Sequence, residues 1–268
     1  MTEILRILIV GDVVGKPGRQ AFAYVYPRLK DKEKIDFCVV NAENAAGGSG
    51  VDEKVVAELL DAGADVLTSG DHIWRRKEVA SWIDRESRLL RPANYPPGVP
   101  GRGSGVFPAP GGVKVGVINL QGRVFMQALD CPFRKLSAEL EEISPQTNII
   151  VVDFHAEATS EKRAMAHYID GKISALIGTH THIPTADEEV RPAGTAYITD
   201  VGMTGGLDST IGVEEKPVIK RFLTGMPVRF SVSNKKVHLQ GALVEIDRGS
   251  GRALSIRRVK EPLPEAGA

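Results

Sequence analysis

The sequence predicts an α/β protein in which helices flank mixed β-sheets, and three observations carry that expectation. Apolar β-branched runs alternate with helix-periodic segments over residues 4–68, as β-α-β units do. The alternation loosens over residues 89–112, where proline and glycine accumulate. The last segments, residues 228–233, 237–246 and 252–259, switch to a period of two, separated by Asn234-Lys235-Lys236 and Gly249-Ser250-Gly251. Mixed sheets with helices outside accommodate all three better than a uniformly doubly wound parallel sheet.

Taken in order, Ile4-Leu5-Arg6-Ile7-Leu8-Ile9-Val10 reads as a buried strand ending at Gly11-Asp12. Residues 15–18 read as loop. Ala21, Phe22, Val25 and Leu29 then recur at helical spacing over 19–30, with Pro27 expected to kink the helix. A second strand, 35–40, leads into Asn41-Ala42-Glu43-Asn44 and the glycine-rich 46–50. Residues 53–62 form an amphipathic helix stopped by Gly63, and a third strand, 65–68, ends in Ser69-Gly70-Asp71-His72. Residues 89–97 suggest an extended surface connection, and 101–112 are glycine- and proline-rich. A strand over 113–120, a helix over 136–143 and a strand over 148–154 ending at His155 follow. After a helix over 161–168 comes the short strand 173–177, which precedes Gly178-Thr179-His180-Thr181-His182-Ile183-Pro184. Residues 196–199 form a strand ending at Asp200, and 214–222 a last helix. The three period-two runs read as an antiparallel meander, although the first two also suit a place in the central sheet. The end from Glu261 is expected to fray, with 263–268 as tail.

Composition sets bounds. A chain of 268 residues can bury a substantial core, and a single domain spanning 1–268 is expected. Thirty-four basic residues balance thirty-four acidic ones, which argues against a broad electrostatic footprint for duplex nucleic acid. Two cysteines make no disulfide framework, and Cys38 lies in an apolar run, as a core thiol does. No run approaches the ~18 apolar residues of a membrane span, and no signal-peptide pattern opens the chain, so a cytoplasmic protein is expected.

The chemistry gathers at strand ends. Six histidines are present, and two of them, His180 and His182, fall within three residues. A period of two would send both imidazoles the same way if the strand geometry persisted. Asp12, Glu43 with Asn44, Asp71 with His72, and His155 end four further strands, and in α/β sheets the carboxyl ends of strands share one ligand-binding rim. Each has a plain alternative: Asp12 as a turn former or helix cap, Asn44 as a turn residue, His155 as a cap, His72 as a supporting or capping histidine. Five such strand ends together favour a metal site. Oxygen donors with three imidazoles and no thiolate fit iron, manganese or zinc better than calcium or magnesium. The set Asp12, Glu43, Asn44, Asp71, His155, His180 and His182 exceeds the needs of one ion. It suits two ions sharing a carboxylate at a separation of about 3.5–4 Å, an arrangement that activates water against a phosphate diester. His72 would then protonate the leaving oxygen. Asp153, two residues before His155, has the parity to orient a ligand from behind, and Asp200 reads as a turn former.

The motifs Gly11-Asp12-Val13-Val14-Gly15, Asn41-Ala42-Glu43-Asn44-Ala45-Ala46-Gly47-Gly48, Arg91-Pro92-Ala93-Asn94-Tyr95-Pro96, Asp153-Phe154-His155-Ala156-Glu157, Gly178-Thr179-His180-Thr181-His182 and Thr199-Asp200-Val201-Gly202-Met203 stand in this order along nearly the whole chain. Together they resemble the YmdB-like family of bacterial metallophosphoesterases, within the calcineurin-like superfamily. The resemblance implies a four-layer α-β-β-α sandwich of two mixed sheets. It also implies two divalent or trivalent metal ions per chain, iron first and manganese second, and phosphodiesterase activity on small cyclic nucleotides, 2′,3′-cyclic above all. By position it assigns Asp12, Asn44 and His182 to one metal, Asp71, His155 and His180 to the other, Glu43 to the bridge and His72 to proton donation. Val14 stands where the wider superfamily has the histidine of an Asp-x-His motif, and Asn41-Ala42-Glu43-Asn44 replaces its Gly-Asp motif; both agree with the YmdB-like branch. Gly70-Asp71-His72 departs from the branch, where Gly-Asn-His is usual. A phosphomonoesterase or nuclease with the same site, or a metal-bound regulatory or scaffold protein with little turnover, are the alternatives. RNA as substrate or regulatory target and a homo-oligomer are further expectations, and no membrane is involved.

Overall fold

A computed structural model describes residues 3–264. Strands β1 (Ile4–Val10) and β2 (Asp12–Val13) lead into helix α1 (Gly15–Glu33), which runs through Pro27 and absorbs the expected loop at 15–18. Strand β3 (Phe37–Asn41), helix α2 (Glu53–Asp61) and strand β4 (Val66–Thr68) follow; the carboxylate of Asp52 caps α2 by accepting from the Val55 N–H at 2.9 Å. Strand β5 (Ser104–Pro108) forms within the glycine- and proline-rich stretch 101–112. Strand β6 (Lys114–Gln121), helix α3 (Pro132–Ile143), strand β7 (Ile150–His155), helix α4 (Thr159–Ile169) and strand β8 (Ala175–Thr179) come next. Short strands β9 (Glu189–Val190), β10 (Ala196–Ile198) and β11 (Met203–Gly206), helix α5 (Glu215–Thr224), and the long strands β12 (Val237–Asp247) and β13 (Ala253–Pro262) complete the order.

Two sheets result. The first runs β2-β11-β12-β1-β3-β4 with β13 also paired to β12; the second runs β5-β6-β7-β8-β10-β9. In the first, β1, β3 and β4 are parallel, and β12 lies antiparallel to β1 from Ile4↔Asp247 to Val10↔Gly241. In the second, β6, β7, β8 and β10 are parallel between antiparallel edges. Strand parity sorts the core into layers. Leu5, Ile7 and Ile9 meet Val117, Val151 and Ile177 between the sheets. Leu8 and Val10 pack against Phe22 and Val25 of α1 and Val55 and Leu59 of α2. Ile118, Leu120, Val152 and Phe154 pack against Leu136 and Leu140 of α3 and Met165 of α4. Each such side chain, fully buried, contributes roughly 1.5–3 kcal/mol. The product is the α-β-β-α sandwich.

Three expectations need correction. Residues 228–233 are not a strand: apart from a single bridge between Val213 and Val232 they pair with nothing, so their alternation has no sheet edge to read it. Residues 89–95 are not a surface connection, since Leu89, Leu90, Arg91, Asn94 and Tyr95 are buried. Burial is tolerated because the polar groups are met: Leu90 N donates to Leu67 O, and the Arg91 guanidinium to the carbonyls of Pro92, Val99 and Pro100. Glu261 and Pro262, expected to fray, pair with Leu239 and His238 in β13; of the expected tail, 265–268 lie outside the described residues.

Candidate metal centre

The carboxyl ends of both sheets' parallel strands meet at one rim, and all eight predicted site residues lie there. From the first sheet, Asp12 follows β1, Glu43 and Asn44 follow β3, and Asp71 and His72 follow β4. From the second, His155 ends β7, and His180 and His182 follow β8. Asp12, Glu43, Asn44, His155 and His182 are buried, and Asp71, His72 and His180 are partly exposed. Gly70 is required beside them, because a Cβ there would lie 2.1 Å from the His155 ring.

The two histidines of the H-x-H pair do not follow strand parity. Strand β8 stops at Thr179, and both His180 (φ 97°) and His182 (φ 64°) take left-handed backbone conformations. Each costs about 1–3 kcal/mol, strain of a kind that clusters at functional sites. The imidazoles consequently diverge. His180 Nδ1 lies 3.0 Å from His155 Nε2 and 3.5 Å from Asp71 Oδ1. His182 Nε2 lies 3.1 Å from Asn44 Nδ2 and 3.9 Å from Asp12 Oδ1. Gly178 makes room for the Thr199 carbonyl, which lies 1.8 Å from where a Cβ would stand.

The hydrogen bonds fix which imidazole nitrogen carries the proton. His182 Nδ1 donates to Ile211 O at 2.9 Å, leaving Nε2 with its lone pair. Thr179 Oγ1 donates to Asp153 Oδ1 at 2.8 Å, so it accepts from His155 Nδ1 at 3.0 Å and leaves His155 Nε2 bare. His180 Nε2 lies 3.1 Å from Glu157 Oε2, and a carboxylate that close favours the proton on Nε2, leaving Nδ1 bare. Two nitrogen lone pairs therefore face each other at 3.0 Å, with Asp71 Oδ1 3.1 Å from one of them. Without a proton between them, that juxtaposition is repulsive; a cation makes it attractive. Asp12 points the same way: its Oδ2 accepts from the His180 N–H at 3.2 Å, while Oδ1 is buried with no hydrogen-bond partner among the described residues.

The electrostatics agree. Burial, then the neighbouring Asp200, Asp153 and Glu43, push the Asp12 carboxyl well above the usual range. Burial raises Glu43 to about 7 against the hydrogen bond from His72, and raises Asp153 to about 6 against those from Thr68, Thr179 and Asn41. Burial lowers His155 to about 3 and lowers His182 as well, keeping both imidazoles neutral. Burial works against an ionised Asp71, but the surrounding histidines, His155, His72 and His180, hold its carboxyl below the usual range. Close-packed acids that repel one another and neutral imidazoles with inward lone pairs form a donor set suited to hard or borderline cations. Two groups stand close enough to hold an ion, Asp71 with His155 and His180, and Glu43 with Asp71 and His72.

His72 is set apart from the other histidines. Its Nδ1 lies 2.8 Å from Glu43 Oε1 and 2.9 Å from Asn44 Oδ1, its Nε2 lies 3.8 Å from Asp71 Oδ2, and its side chain is partly exposed. The hydrogen bond to Glu43 raises its pKa, with burial opposing.

Supporting residues escaped the sequence reading. Asp153 acts as its parity suggested, through Thr179, while Asn41 and Thr68 complete its hydrogen bonds at 2.9 and 2.5 Å. Asp200 is no mere turn former: buried, it accepts from Lys162 Nζ at 2.9 Å and from Thr181 N and Oγ1 at 3.0 and 2.8 Å. Lys162 sits in an ordinary-looking helical pattern, and its only sequence signal is a place on the inward face beside Met165 and Ala166.

A two-sheet sandwich with carboxylates and imidazoles on one rim defines a phosphoesterase-type metalloprotein. Solved structures agree: a hypothetical protein from Thermus thermophilus superposes with a TM-score of 0.90 at 42% identity, covering 97% of this chain and 100% of that one. A structure described as a novel phosphatase from Mycoplasma pneumoniae superposes with a TM-score of 0.90 at 33% identity, over 98% and 95% of the two chains. The YmdB-like protein family model matches residues 8–259, and the chain belongs to that family. Its sequence is 48% identical over 255 residues to the 2′,3′-cyclic-nucleotide 2′-phosphodiesterase of Bacillus subtilis, spanning 95% of this chain and 96% of the relative. A putative phosphatase/phosphodiesterase of Mycoplasma genitalium is 34% identical over 265 residues, 96% of this chain and 92% of that one. Among the described residues no helix is long and apolar enough to cross a membrane.

Proposed function

We propose that this protein is a metal-dependent phosphodiesterase that hydrolyses small cyclic nucleotides, 2′,3′-cyclic ones foremost. The observation that carries the reading is the pair of bare imidazole nitrogens, His155 Nε2 and His180 Nδ1, facing each other beside an ionised Asp71. The Bacillus relative's activity supports the substrate class. All the donors come from one pair of packed sheets, which supports a single catalytic domain.

In this reading Asp71, His155 and His180 would hold one ion, Asp12, Asn44 and His182 a second, and Glu43 would be shared. Iron and manganese suit the mixture of carboxylate, amide and imidazole donors. Bound there, such ions supply Lewis-acid stabilisation of charge on the phosphate oxygens and lower the pKa of coordinated water. The chain's own residues do the rest. The partners of the ligand histidines, Ile211 O, Thr179 Oγ1 and Glu157, fix each tautomer and aim each lone pair inward. His72 holds a proton near neutral pH because Glu43 accepts from its Nδ1, and its Nε2 delivers a proton to the leaving ribose oxygen. The test is hydrolysis of 2′,3′- and 3′,5′-cyclic nucleotides, a phosphomonoester and RNA under iron, manganese and zinc, with His72→Ala as control. Preference for the 2′,3′-cyclic diester with metal-dependent turnover is expected. A stoichiometrically loaded protein with no turnover on any of them would refute the reading.

A further inference from the structure

Behind the H-x-H segment lies a buried ion pair that the proposed chemistry does not use. Lys162 of α4 is fully buried, and its Nζ donates to Asp200 Oδ2 at 2.9 Å and to Thr179 O at 2.7 Å. Asp200 Oδ2 also accepts from Thr181 N and Oγ1, and Oδ1 from Gly202 N at 2.8 Å. The ammonium and the carboxylate thus grip the residues on either side of His180, at the point where β8 ends and the chain turns left-handed. The lysine stem is part of the fit: a Cβ on Gly178 would lie 3.0 Å from Lys162 Cδ. Glu157, just ahead of the same helix, takes the outer nitrogen of His180. Positive φ is uncommon for any residue with a Cβ, so two such histidines within three residues must be held there by groups outside the segment.

We propose that Lys162 is a positioning residue: with Asp200 it locks residues 179–182 so that His180 and His182 are presented to different ligand groups. A buried ammonium without acceptors, or a buried carboxylate without its cation, is strongly unfavourable, which makes this lock an all-or-none element rather than a soft contact. The inference rests on the reading of His180 and His182 as metal-holding groups, and its test is chosen to separate the two. Hydrogen exchange over residues 178–184 is measured in metal-free protein, and Mn2+ affinity is measured by titration, for wild type, Lys162→Met and Lys162→Met/Asp200→Asn. The double variant removes the unpaired charge and keeps the side chains' volume. If the lock positions the histidines, both variants exchange faster in this segment and bind Mn2+ about tenfold more weakly. If the double variant recovers wild-type exchange and affinity, the ammonium serves only to neutralise Asp200 and the proposal is overturned. Should Lys162→Met not fold, Thr181→Val decides, since it deletes one hydroxyl from the same lock: faster exchange with weaker Mn2+ binding supports the proposal, and wild-type values overturn it. A wild-type protein that binds no Mn2+ would instead sink the metal reading, while the exchange arm would still judge the lock.

Discussion

The two sheets contribute to the site in opposite ways. The first sheet's rim supplies Asp12, Glu43, Asn44 and Asp71, oxygen donors among which burial leaves the charge of Asp12 and Glu43 poorly compensated; the buried Asp12 Oδ1 has no hydrogen-bond partner among the described residues. The second sheet's rim supplies His155 and His182, neutral donors tied at their outer nitrogens to Thr179 Oγ1 and Ile211 O, together with His180, whose outer nitrogen lies 3.1 Å from Glu157 Oε2. One side provides charge and the other provides aim. A site built this way is unstable against itself until cations arrive, and it is rigid in the one respect, imidazole direction, that decides where they sit.

The largest break in this comparison comes from deleting a donor on either side. Glu43→Ala and His155→Ala are each expected to lower turnover on a 2′,3′-cyclic nucleotide by on the order of 10³-fold, with loss of bound metal measured by elemental analysis. Because the donors act as a unit, the double variant should be scarcely worse than either single one. Additive losses would show that the two rims work independently.

Next comes His72, which sits on the charged rim yet serves as an acid. His72→Ala should cost about 10²–10⁴-fold on a ribose leaving group and far less on a nitrophenyl diester, whose leaving group needs no proton. Equal losses on both substrates would remove His72 from proton transfer and make its side chain a support for Glu43, whose Oε1 lies 2.8 Å from its Nδ1.

The residues that meet at the rim were legible in the sequence because each is a polar residue ending an apolar strand, and strand ends of one sheet share a rim. What holds them was not. Lys162 looks like any lysine of an amphipathic helix, and its burial depends on Asp200, thirty-eight residues away. Nothing local in Thr-His-Thr-His announces two positive φ values. The layers followed from parity in β1, β6 and β7. The central place of β12 rests on pairing with β1 across most of the chain, so local periodicity left it open between a meander and the central sheet. At residues 228–233 the same periodicity occurs without a partner strand, and no strand forms.

The uncompensated charge of the first rim has a thermodynamic signature in metal-free protein. Burial raises Glu43 to about 7, above the ordinary glutamate value of an unfolded chain. Such a carboxyl costs stability where it is ionised, above its folded pKa, and the cost disappears as pH falls through about 7 towards the unfolded value. Glu43→Gln should therefore melt higher than wild type at pH 8, by up to about 3 kcal/mol in urea titrations, with the gap closing by pH 5. A gap that widens on acidification would mean that His72 compensates Glu43 fully.

The smallest expected effect is the most particular to this chain. Asp71 stands where the family resemblance leads one to expect asparagine, and it is the first-sheet carboxylate nearest the imidazole nitrogens of the second sheet, 3.1 Å from His155 Nε2 and 3.5 Å from His180 Nδ1. Its neighbours hold it ionised against the effect of burial. An extra negative charge binds cations more tightly and reduces the Lewis acidity they can offer a substrate oxygen. Asp71→Asn keeps the donor oxygen and removes the charge, so Mn2+ affinity should fall by about tenfold while turnover at saturating metal rises. Parallel titrations with iron and zinc should show the preference among metals shifting as well, since carboxylate and amide oxygens differ in charge more than in size. Unchanged affinity with unchanged turnover would place Asp71 outside the donor set and leave the second rim's histidines to bind by themselves.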